Sequence, residues 1–165
     1  MKKYSGYVLM TLALLAIAGC ELSKYPIDDP AVVKIDTRLL GKWKVDNEQD
    51  KHDLYTLTRK DDFHYHVTVA NALDKKVHKA TAYLSNVGSL PFLNVYFKDD
   101  TASGYLFIKI LNVNATGDKI ITATVSDTTM KYLKSPAQVR ARIQQRLNYP
   151  SFYSDTTHLH KVKQR

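Results

Sequence analysis

The chain has 165 residues, 44% of them hydrophobic and 24% charged, with a formal net charge of +8 and one cysteine. That composition excludes a disulfide-stapled scaffold and a disordered polyelectrolyte, and the length suits a single domain with its own core. The longest apolar run is about half of the roughly 20 residues that a transmembrane helix needs.

Lys2 and Lys3 precede that run, Val8 to Ile17, and small residues follow it. Charge, apolar stretch and small residues in this order make a secretory signal. Its end, Ile17-Ala18-Gly19-Cys20, resembles the lipobox of bacterial lipoproteins. The resemblance implies that residues 1–19 are removed and that Cys20, diacylated, becomes the mature N-terminus. Two or more acyl chains, at about 0.8 kcal/mol per buried CH₂, hold a protein on a membrane durably where one does not. An aspartate after the cysteine is that family's inner-membrane retention mark. Glu21 stands there instead, which implies the outer membrane of a two-membrane cell envelope.

Leu22 to Asp36 holds Pro26, Asp28, Asp29 and Pro30 without sustained periodicity. Proline biases the residue before it towards extended backbone, so residues 20–37 read as the lipidated N-terminus and a flexible tether. Fifteen extended residues at about 3.3 Å each reach some 50 Å, enough to hold a domain over 38–165 clear of the lipid.

From Leu40 the pattern is one of short strands. Apolar and polar residues alternate over Leu40–Asp46, Leu54–Arg59, Phe63–Ala70, Val77–Leu84, Phe92–Lys98, Tyr105–Leu111, Lys119–Val125 and Thr157–Val162. A period of two with β-branched and aromatic residues is the strand signature. Trp43 with Val45, Tyr65 with Val67 and Val69, Leu93 with Val95 and Phe97, and Leu106 with Ile108 and Ile110 form the expected inner phases. For the seventh strand Ile121, Ala123 and Val125 do so. Turn residues at Lys60-Asp61-Asp62, Asn86-Val87-Gly88, Lys98-Asp99-Asp100 and Asn114–Asp118 separate the strands, and loops this short favour antiparallel neighbours. A helix interrupts them. Ser135 is its N-cap, Pro136 its first residue and Gln138 a capping-box partner. Val139, Ile143 and Leu147 make its buried stripe, and Arg140, Arg142 and Arg146 lie towards the other side. The fold class is mainly β: an antiparallel eight-stranded up-and-down barrel, closed so that no edge is exposed, with one α-helix before the last strand.

Leu40-Gly41-Lys42-Trp43 resembles the G-x-W opening of lipocalins and related calycin barrels. The resemblance implies a lipocalin-like barrel in which Trp43 packs across the closed end. Two features depart from that family: the helix precedes the eighth strand instead of following it, and no disulfide is possible.

No catalytic signature is present, neither a G-x-S-x-G elbow, an H-E-x-x-H pair nor a phosphate loop, and the single cysteine is taken by the lipobox. The expectation is a protein that is not an enzyme and needs no cofactor. Two histidine pairs, His64 with His66 and His158 with His160, each share a strand face and could hold a metal with His52, His78, Asp61 or Asp62 nearby. Phe63, Tyr65 and Val67 take the inner phase, so His64 and His66 face outward and read as solvated. The strand tyrosines likewise read as structural, with buried rings and hydroxyls at the rim.

Charge is uneven. Residues 21–130 carry 14 basic and 15 acidic side chains, whereas residues 131–165 carry 8 basic ones against Asp155 alone. Two functions follow. One is a membrane-anchored carrier binding a small hydrophobic molecule in its lumen. The alternative is a filled barrel whose basic C-terminal surface meets an acidic protein or anionic lipid. Nucleic acid is not an expected partner of a lipidated envelope protein. Eight-stranded barrels can be filled by side chains or hold one small ligand, so the choice stays open at this point.

Overall fold

A computed structural model describes residues 22–46, 52–73, 75–98 and 103–162. The lipobox and Cys20 lie outside the described residues. Eight strands form a closed meander: β1 (Gly41–Val45), β2 (Asp53–Arg59), β3 (His64–Asn71), β4 (Val77–Val87), β5 (Leu90–Lys98), β6 (Ser103–Val113), β7 (Lys119–Val125) and β8 (Tyr153–Lys161). Each pairs antiparallel with its sequence neighbours, and β8 returns to β1 through Trp43–Lys161, Lys44–His160 and Val45–Leu159. The expected eight strands are thus present, joined as a closed antiparallel barrel compatible with a lipocalin-like fold.

The turns explain the registers. Asp61 accepts from the backbone N–H groups of Phe63 and His64, closing the β2–β3 turn. Gly88 at φ 60° makes the two-residue β4–β5 turn, a backbone conformation costly for any residue with a Cβ. Asn114 accepts from the N–H groups of Asp118 and Lys119 and so shapes the β6–β7 turn.

Two cores result. Inside the barrel, Leu39, Trp43, Tyr65, Val67, Ala82, Leu84, Leu93, Val95, Ile110 and Ile120 are buried together. Outside it, helix α1 (Pro136–Arg146) packs Val139 and Ile143 against Val87, Phe92, Phe107 and Val125. Full burial of each such aliphatic side chain contributes about 1.5–3 kcal/mol, which fastens the helix to the wall. Ser135 caps the helix by accepting from the N–H of Gln138. The Gln138 side chain accepts from the N–H of Lys134, one residue earlier than in a standard capping box. At the other end Lys109 points outward from β6, donates to the Leu147 carbonyl at 3.1 Å and lies 4.6 Å from the Tyr153 ring. Burial depresses its pKa, and the helix-terminal carbonyl is the partner its charge needs.

Three expectations are corrected. Leu22–Asp36 is not a tether: it is strapped to the barrel. Ser23 exchanges backbone hydrogen bonds with Tyr105, Ile27 is buried and donates to the Asn94 side chain at 2.8 Å, and Val33 bridges to Leu84. The prolines here shape a packed segment, and the residues that hold it are distant in sequence.

The helix arginines are also engaged. Arg140 bonds the Asp28 carboxylate and the Asn86 carbonyl, and Arg142 bonds Asp127 at 2.7 Å. The helix lies along the wall with its flanks against the strap and the turn Thr128–Tyr132, so residues beside the apolar stripe meet protein. Finally, the seventh strand has the opposite phase: Ile121, Ala123 and Val125 do not face inward. Ile121 lies opposite Asn112 and His158, Ala123 lies opposite the outward Lys109, and Val125 belongs to the outer core under the helix, while Ile120 lies in the inner core opposite Leu159. The helix covers the outer face here, so the outward phase of β7 is its more apolar one, while the inner phase carries Ile120, Thr122 and Thr124.

Candidate functional site: the half-open end of the barrel

Residues directly opposite each other on antiparallel strands share a face, so the registers trace the lumen wall. One inner row runs through Leu57, Val67, Ala80 and Phe97, and another through Tyr65, Ala82, Val95 and Leu106. A third joins Ile110, Thr122 and Thr157. The β1–β2, β3–β4, β5–β6 and β7–β8 connections mark one end of the barrel. The β2–β3, β4–β5 and β6–β7 turns mark the other.

The second end is sealed. Trp43 is buried and its indole N–H donates to the Leu39 carbonyl at 2.9 Å. Lys161 reaches across from β8, 4.7 Å from the Trp43 ring, and donates to the Arg38 carbonyl at 3.0 Å. The Tyr65 hydroxyl accepts from the Asp36 N–H at 2.6 Å and donates to the Asp36 carbonyl. Desolvation pushes the Tyr65 pKa far up, keeping the hydroxyl a donor. Asp36 in turn caps the turn Thr37–Leu39 and pairs with Arg38, which holds its carboxyl below the ordinary value.

At the first end the same inner phase is only half-buried. Tyr55, Val69, Ala80, Phe97, Leu106 and Ile108 face the lumen yet keep contact with solvent. Thr124 is half-buried and Thr122 buried, so β7 adds hydroxyls to an otherwise apolar wall. His78 closes the row Trp43–Tyr55–Val69–His78 at the rim, where it is exposed. Among the described residues the inner face is thus closely packed around Trp43 and Tyr65 and less covered towards this end, where it presents apolar contact and a few neutral hydrogen-bonding groups.

The other sequence candidates separate. His64 and His66 face outward on β3, where His64 pairs with Asp61 at 2.9 Å and meets the edge of Tyr83. His158 and His160 lie on β8, across β1 and β2 from that pair, and His160 bonds Asp46. Among the described residues no three His, Cys, Asp or Glu side chains converge on a metal position. Nor is any described helix long and apolar enough to cross a membrane. The strand tyrosines hold structure: Tyr83 donates to the Asp28 carbonyl, Tyr153 to the Leu147 carbonyl, and the Tyr96 and Tyr105 rings pack at 4.9 Å. A polar cleft of about 220 Å³ lies outside the barrel between Asp127, Arg142, Arg146 and Tyr149. Asp127 occupies Arg142 there, and Arg146 lies over the Tyr149 ring, so its charges have partners within the fold.

Neither a protein-family model, nor a curated protein, nor a solved structure matches this chain. The half-open lumen was beyond sequence reasoning because strand alternation gives the inner face without the depth at which each side chain sits.

Proposed function

We propose that the protein is a lipid-anchored component of the outer membrane that binds a small apolar molecule in its barrel without transforming it. The observation that carries the reading is the gradient along the inner face. Packing is complete around Trp43 and Tyr65, while Phe97, Leu106 and Ile108 stay half-buried at the other end. Side chains of this kind leave water favourably, at about 25 cal/mol per Å² covered, so the open end rewards an apolar occupant. The anchor rests on the lipobox and Cys20. The alternative, a filled barrel acting through a basic surface, is left with fewer free cations than the sequence count suggests. Arg140, Arg142 and Lys161 are each tied to the body of the protein.

The test is titration of the mature protein with a fluorescent fatty-acyl probe. Saturable binding at one site per chain is expected, weakened about tenfold or more by Leu106→Asn, which puts an amide in the apolar wall. Absence of saturable binding overturns the carrier reading. Cys20→Ala separates the two halves of the proposal: it should abolish acylation and membrane attachment while leaving probe binding intact.

A further inference from the structure

The strap and the lipobox together orient the barrel on the membrane. Ser23 is bonded to Tyr105 near the start of β6, at the half-open end. The approach there is close: a Cβ on Gly104 would stand 2.7 Å from the Leu22 Cβ and 2.8 Å from the Ser23 carbonyl oxygen. Cys20 is two residues before Leu22, and a chain spans at most about 3.6 Å per residue. Acyl chains on Cys20 are therefore held within about 7 Å of Leu22, and the barrel cannot stand clear of the lipid.

The rim of that same end carries a surface of matching chemistry. In the β3–β4 hairpin Leu73 is 72% exposed and Val77 55% exposed, two of the most exposed large apolar side chains among the described residues. Lys75, Lys76 and Lys79 are exposed beside them. Apolar side chains at a tip flanked by lysines suit a bilayer interface: the former enter the acyl boundary and the latter meet headgroup phosphates. Around the closed barrel the β1–β2 edge, with Asp46 and Asp53, lies diametrically opposite β5–β6, beside which the strap ends. Lys98 at the β5–β6 turn is followed by Asp99 and Asp100, and Arg140 and Arg142 of the β7–β8 connection are tied to Asp28 and Asp127. The β3–β4 hairpin sets Lys75, Lys76 and Lys79 against Asp74 alone, beside exposed Leu73 and Val77.

We infer that the half-open end faces the phospholipid bilayer, tilted so that the Leu73–Val77 hairpin docks on the lipid and the acidic β1–β2 rim turns away. An apolar ligand then passes between bilayer and lumen without crossing water. This inference rests on the lipid-anchor reading above.

The test places an environment-sensitive fluorophore at Leu73→Cys, or at Ala115→Cys in the opposite β6–β7 turn. Each lipidated protein is reconstituted in vesicles of phosphatidylethanolamine and phosphatidylglycerol. With Cys20 acylated, the introduced thiol is the only free one. The expected result is blue-shifted emission and loss of quenching by aqueous iodide at position 73, with position 115 fully quenched. In a second variant set, Lys75→Glu with Lys79→Glu should shift the docked-to-undocked ratio at position 73 about tenfold or more towards solvent. Equal quenching at both positions, or protection at 115 alone, overturns the orientation while leaving the anchor intact. An intact mass without acyl chains overturns the anchor, and the orientation with it.

Discussion

The two ends of this barrel are built from the same strands and differ in how they are finished. One end is closed by its own N-terminal segment: Asp36 bonds the Tyr65 hydroxyl, the Leu39 carbonyl accepts from Trp43, and Lys161 donates to the Arg38 carbonyl. The other end receives no such plug from the described residues, and its inner side chains stay half-buried. The difference teaches that packing is graded along the barrel axis. The sealed end supplies it, and the other end keeps half-buried apolar surface, which on the proposed function is where a ligand would bind.

Substitutions along the axis should break or confirm that gradient. Trp43→Ala removes the largest side chain of the sealed end together with its bond to Leu39. It should cost about 3–5 kcal/mol, read as a large fall in the denaturation midpoint. Arg140→Gln cuts the link that holds the strap through Asp28 and Asn86. Because the pair is part-exposed, a loss of roughly 1–2 kcal/mol is expected, visible by chemical denaturation. Leu106→Asn at the open end should cost about 1 kcal/mol or less while weakening probe binding about tenfold or more, the reverse balance to Trp43→Ala. A stability loss at Leu106 equal to that at Trp43 would mean that both ends are equally packed.

The smallest effect is in acid. The Arg38 guanidinium holds the Asp36 carboxyl below its ordinary value of 3.8. A depressed folded-state pKa stabilises the fold fully above the unfolded value, near pH 4, and the benefit drains away as the pH falls through the folded one. Asp36→Asn should therefore flatten the acid side of the stability profile while leaving probe binding at neutral pH unchanged.

Much of this architecture was legible in the chain. Alternation places Trp43, Tyr65, Val67, Leu93 and Val95 inward, and Ser135 with Pro136 starts the helix where the structure has it. What escaped depends on distant partners. Leu22–Asp36 lacks periodicity because its order comes from Asn94, Tyr83 and Tyr105, residues over 50 positions away. Ile121, Ala123 and Val125 suggest the wrong inner phase because the helix, which nothing in the strand announces, covers the outer face and makes it apolar, while the lumen takes Thr122 and Thr124. The engagement of Arg140 and Arg142 is invisible in the chain because nothing local announces Asp28 or Asp127 as partners. The half-open lumen escaped because it is a matter of depth, which a two-residue period does not encode.

The measurement that bears most directly on the central claim is native mass spectrometry of the mature protein released gently from its own membrane. The expected result is the mass of the acylated chain plus one extractable apolar adduct, absent from Leu106→Asn prepared in the same way. An acylated chain with no adduct, or an adduct that persists in Leu106→Asn, would contradict binding at the half-open end.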